Sequence, residues 1–205
     1  MKLNGEQTGK KFLLELRDLL VGAAFPFMLQ LIFSASVILF ASYTDEIGLS
    51  IAALVFGEVL LCGAYVIFGR QNGIVAYRRT VQNTKKREAG STEPRAVLYV
   101  GEYALYKGFV IALISCVPFI LIQIINAAAP NDPCHFILMY AFGWAWFPFE
   151  LVNLSGAGLS EWLNLIWIVL PVAVHALAYF LGAGKEKKKQ DVVAKAQELK
   201  GKKNK

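Results

Sequence analysis

Two long stretches of this chain, residues 18–69 and 108–184, contain no lysine or arginine. Charged residues make up only 18% of the whole and apolar residues 56%, whereas a soluble domain carries about 25% charged residues. That shortage argues against a chain folding in water around a single core. Histidine is almost as scarce. His135 and His175 are the only two, and with no His-Glu-x-x-His the sequence offers no conventional zinc site. Three cysteines, Cys62, Cys116 and Cys134, form no Cys-x-x-Cys pair and cannot build a disulfide framework. Cys62 and Cys116 lie in apolar runs, where a thiol behaves as a small hydrophobe. No phosphate-binding glycine loop and no Gly-x-Ser-x-Gly is present. The sequence therefore points to no catalytic residue, no metal and no cofactor.

What fills the gaps is apolar sequence of membrane-spanning length. Crossing a bilayer takes about 20 residues at about 1.5 Å each. Residues 19–42, 48–69, 108–129 and 162–183 meet that length, and 134–152 is shorter. The first run is too long for a removable signal segment, whose apolar region spans about 7–15 residues. The expected fold is an all-α integral membrane protein with four transmembrane helices.

The basic residues fall in three clusters: Lys2 to Arg17, Arg70 to Lys107, and the nine lysines from Lys185 to Lys205. Positive charge beside a span holds that end in the cytoplasm. Three inner clusters require an even number of crossings between each pair. The spans thus read as two hairpins, 19–69 and 108–184. The segment 134–152 carries Trp144 and Trp146, residues favoured at the membrane boundary, and Pro148 interrupts it. It is expected as a re-entrant or interfacial helix on the outer side. A five-span alternative would put the lysine tail outside.

Three parts are left for the cytoplasm. Residues 1–18 read as an amphipathic lead-in lying along the inner surface before it turns into the first span. In the basic loop 70–107, residues 70–88 continue the second span as a helix and 89–94 break it. Residues 96–107 then resume as a helix, with Tyr99, Tyr103 and Tyr106 on one face as an interfacial anchor. The tail 185–205 is a short lysine-rich helix drawn to anionic lipid. The net charge of +6 follows from topology, and no nucleic acid is expected as a partner. A protein partner would engage 70–88 or 185–205. The plasma membrane of a bacterium is the expected location.

Polar residues inside the spans are the candidate site. Counted from the cytoplasmic ends, Gln30, Glu58 and His175 share a level near the bilayer centre. A carboxylate there costs at least about 2.5–3.5 kcal/mol, so Glu58 needs a proton, a partner or an interior face. Together the three would bind a ligand or relay protons; the structural alternative is interhelical hydrogen bonding. Gln123, Asn126 and Glu150 are polar candidates nearer the outer surface. Small-residue pairs Ala53/Gly57 and Ala178/Gly182 suit close helix contact. Ser155 or Ser160 could approach His175 as a nucleophile only by crossing a large difference in depth. Three functions remain in order of preference. The first is a non-catalytic subunit of a membrane complex. The second is a small transporter or ligand-binding protein gated by 134–152, and the third an enzyme acting on lipid.

Overall fold

The computed structural model describes residues 5–42, 47–152 and 159–203. The connection 43–46 and the turn containing Ser155 lie outside them. Every regular element among the described residues is helical, and four helices are long and apolar enough to cross a membrane. In order these are α1 (Gly5–Ser42), α2 (Ile47–Glu88), α3 (Pro94–Leu98), α4 (Leu105–Ala128), α5 (Asp132–Ala141), α6 (Gly143–Val152), a 3₁₀ helix (Glu161–Ile168) and α7 (Val169–Lys203).

The perimeter of the bundle is apolar: Phe25, Ile32, Val55, Val59, Leu121 and Leu177 are all exposed. Its interior holds Gln30, Ser34, Ser115, Gln123, Asn164 and His175. Soluble proteins rarely present so much apolar surface, and this inverted distribution suits a lipid solvent.

Helix directions follow from which residues meet. Asp18, Phe25 and Gln30 of α1 meet Arg79, Phe68 and Tyr65 of α2, so these helices run antiparallel. Glu15, Gly22 and Gln30 meet Lys107, Ile111 and Ser115, so α1 and α4 run parallel. The tightest pairing is between α2 and α7. A Cβ added at Gly69 would stand 2.7 Å from the carbonyl oxygen of His175. At Gly73 it would overlap the carbonyl oxygen of Tyr179, and at Gly182 that of Arg70. Farther along, Arg78 Nε donates to Glu186 Oε1 at 2.8 Å. Residue numbers rise together, so α2 and α7 are parallel, and glycine is what lets their backbones touch. Gly182 and Ala178 take part as the small-residue spacing suggested. On α2, however, their counterparts are Gly69 and Gly73, a pair the sequence reading passed over.

Three local expectations are corrected. First, α1 is one continuous helix of 38 residues, about 57 Å at ~1.5 Å per residue, with no turn between lead-in and span. Asp18 accepts from Arg95 at 2.9 Å and from Arg79 at 3.5 Å, and Glu15 pairs with Lys107 at 3.6 Å. These contacts hold the lead-in against the basic loop. Second, residues 96–107 are not one continuous helix. α3 ends at Leu98, Tyr99 takes φ 52°, Gly101 takes φ 83°, and α4 begins at Leu105. The three tyrosines accordingly part company. Tyr99 lies under Arg87 at 3.8 Å, Tyr103 packs on Tyr179 at 5.6 Å, and Tyr106 is exposed. The extended stretch is fastened to α2 instead, where Thr80 Oγ1 accepts from Tyr103 N and Asn83 donates to Val100 O.

Third, the segment 134–152 is two helices. α5 starts where Asn131 Oδ1 accepts from Cys134 N at 2.9 Å, a side-chain N-cap. Cys134 is thus buried in the first turn of a helix. The chain breaks at Phe142, and α6 runs through Pro148. Each helix has ten residues, about 15 Å, half of what a crossing needs. The last long apolar segment also differs, opening as a 3₁₀ turn before Pro171 and continuing as α7 past the lysines.

Candidate functional site

One face of α4 organises the interior. Ser115, Phe119, Gln123 and Asn126 recur at spacings of four, four and three, and all are buried, as one helix stripe should be. At the Ser115 level, Gln30 Nε2 of α1 donates to the hydroxyl of Tyr65 on α2 and to Ser115 Oγ at 3.3 Å. Ser115 Oγ donates to Ala112 O at 2.7 Å and so accepts from Tyr65 Oη at 3.1 Å. The Tyr65 ring stands edge-on to His175 at 5.9 Å. His175 Nδ1 lies 2.9 Å from Gly108 O, which fixes the proton on that nitrogen. Its Nε2 is left to accept from Asn72 Nδ2 at 3.4 Å.

A second polar group sits at the opposite end of the stripe. Gln123 Nε2 donates to Glu161 O at 2.8 Å and to Glu161 Oε2 at 3.2 Å. Asn126 Nδ2 reaches the same carboxylate at 3.4 Å, and Asn164 Nδ2 donates to Gln123 Oε1 at 3.0 Å. Between the two groups lies Phe119, with its ring 5.7 Å from Phe142 and 5.5 Å from Trp144. Those two residues come from the break between α5 and α6. Gly143 lets the break close against α1, since a Cβ there would already stand 3.2 Å from Ile38.

The candidates from sequence are therefore distributed differently from the single level expected of them. Gln30 and His175 both adjoin Tyr65, and Gln123 and Asn126 share Glu161. Glu58 stands apart. It is fourteen residues from Asn72 on the same helix, roughly 21 Å along the axis, and it borders an apolar groove with Cys62, Pro148, Trp167 and Leu170. Glu150, half-buried in α6, does not join the Glu161 network. The depth count missed because it ended the second span at Gly69, whereas α2 stays packed to Asn83. The residues overlooked are Tyr65, Asn72, Ser115 and Asn164. Ser115 was legible from its helical spacing to Gln123, and Asn164 as an amide inside an apolar run.

Several buried polar atoms have no hydrogen-bond partner among the described residues: Gln30 Oε1, Ser34 Oγ, Trp144 Nε1 and Asn164 Oδ1, with Glu58 Oε1 off to the side. Tyr179 borders a cavity at the basic end, together with Glu15, Glu102, Arg79 and Lys107. Among the described residues no group of three or more His, Cys, Asp or Glu is placed to hold a metal. Comparison with protein-family models, with curated proteins and with solved structures gives no match.

Proposed function

We propose that the protein is a small membrane transporter that passes a small polar solute along the axis of its four-helix bundle. One polar half-path leads in from the basic end through Asn72, His175, Tyr65 and Gln30. The other leads out past Gln123, Asn164 and Glu161. Phe119, Phe142 and Trp144 form the gate between them. The observation that carries the proposal is a set of buried side-chain atoms without a hydrogen-bond partner among the described residues, Gln30 Oε1, Ser34 Oγ, Trp144 Nε1 and Asn164 Oδ1. Left dry, each would cost about 1–3 kcal/mol. Interhelical bonding accounts for the groups that satisfy one another but not for these, whereas water or a passing solute accounts for all four.

In this reading the spans form two hairpins and the basic end faces the cytoplasm. Support comes from the parallel course of α2 and α7, which brings the lysine tail beside the basic loop at Arg78–Glu186. A fifth crossing would make those helices antiparallel. α5 and α6 then enter from the far side and return, their tips forming the gate. A non-catalytic subunit draws on one different feature. Beyond Glu186, α7 projects with Val192, Val193 and Leu199 exposed, and a partner protein or an anionic leaflet would cover that helix.

Vesicle swelling tests the proposal. Reconstituted vesicles challenged with glycerol, alanine, ethylammonium or propionate should admit at least one of them faster than protein-free vesicles. Phe119→Ala should raise that rate and Asn164→Leu lower it. Entry at the protein-free rate for all four solutes, in wild type and Phe119→Ala alike, would refute it.

A further inference from the structure

We infer that the cavity at the basic end is the solute site of this path, and that it takes a small zwitterion bearing one ammonium and one carboxylate, of the amino-acid class. The inference rests on the transport reading above. The cavity has a volume of about 170 Å³. A small amino acid fits that space and a lipid does not.

Its walls carry charge of both signs in an unfinished state. Asp18 is fully engaged, with Arg95, Arg79 and Arg17 all within 3.8 Å. The others are not. Lys107 is only 8% exposed, yet its one ion pair among the described residues, with Glu15, is 3.6 Å long. An ammonium has three hydrogens to place, and among the described residues this one makes no hydrogen bond of ordinary length. On the loop between α3 and α4, Glu102 is half-buried and has no ion pair within 4 Å among the described residues. Burial, and more weakly the neighbouring Glu15, push its carboxyl up, against the pull of Lys107, Lys11 and Arg87.

A simple cation would satisfy Glu102 and leave Lys107 wanting. An anion would do the reverse. A zwitterion meets both, with its carboxylate on Lys107 and its ammonium between Glu102 and Glu15. The Tyr179 hydroxyl, 1% exposed as a residue, supplies a neutral hydrogen-bonding group in the same wall. Asn72 lines the cavity as well and bonds His175, which joins the site to the axial path.

Isothermal titration of the purified full chain with alanine, ethylammonium and propionate tests the assignment. Alanine should bind at least tenfold more tightly than either single-charge analogue. Glu102→Gln should weaken it tenfold or more with helix content and thermal midpoint unchanged. Lys107→Met should do the same. Because Lys107→Met strands Glu15, Lys107→Arg is the paired variant, and it should retain binding. Ethylammonium or propionate binding as well as alanine would overturn the zwitterion assignment, as would an unchanged affinity in Glu102→Gln. If none of the three binds while vesicles still admit glycerol, this inference fails and the transport reading stands. If no solute enters either, the transport reading fails with it.

Discussion

Replacing Gly73 with alanine should separate α2 from α7. The added Cβ would overlap the carbonyl oxygen of Tyr179, lie 2.8 Å from its carbonyl carbon and 3.1 Å from Ala183 N. All three are backbone atoms within a helix, so none can swing aside as a flexible side chain would. The helices must move apart, and the contacts along the seam from Gly69 to Gly182 loosen together. Overpacking of this kind costs about 1–3 kcal/mol, and the immovable partners put Gly73→Ala toward the top of that range. A loss of ~2 kcal/mol raises the unfolding constant roughly 30-fold. Gly63 of α2 is the control, because a Cβ there meets nothing within 4 Å. Gly63→Ala should be neutral, or gain up to about 1 kcal/mol from helix propensity. Reversible unfolding in bicelles, followed by steric trapping, measures both. Equal stability of the two variants would refute the packing of α2 on α7.

Two further outcomes follow from the same geometry. Glu58→Gln should leave solute entry into vesicles unchanged, since Glu58 borders the outer groove and not the axis; a loss of entry would restore it to the site. The tail contact depends on pH in a defined direction. The hydrogen bond from Arg78, opposed by burial, holds the Glu186 carboxyl below its ordinary value. A depressed carboxyl stabilises the docked tail at pH above the ordinary value and loses that effect as pH falls through the depressed one. Spin labels on Gln82→Cys and Lys189→Cys should therefore keep their separation from about pH 7 to about pH 5, above the ordinary carboxyl range, and lengthen only in stronger acid. Release between those two values would contradict the pairing.

The spans were legible because lipid imposes a crude rule, long apolar runs bounded by charge, and α1, α2 and α4 obey it. The interior was only partly legible. Depth counting treats every helix as a ruler starting where the charges begin. Here α2 keeps a packed face well past Arg70, and Gly73 and Gly182 set the register of α7 against it. His175 therefore meets Asn72, not Glu58. The tyrosine stripe failed for a backbone reason, as its periodicity runs across Tyr99, where a left-handed residue ends the helix. Aromatic composition marked 134–152 as unusual, but nothing local revealed that Phe142 and Trp144 would turn inward onto Phe119. That contact joins segments far apart in the chain.

Thiol accessibility from each side of the membrane probes the divided path most directly. In a chain with Cys62, Cys116 and Cys134 replaced by serine, Gln30→Cys should react with a small charged thiol reagent added at the face bearing the lysine tail, and not from the other. Asn126→Cys should show the reverse, and Phe119→Ala should let either reagent pass to both. If neither cysteine reacts from any side, the bundle axis is dry and the transport account is wrong.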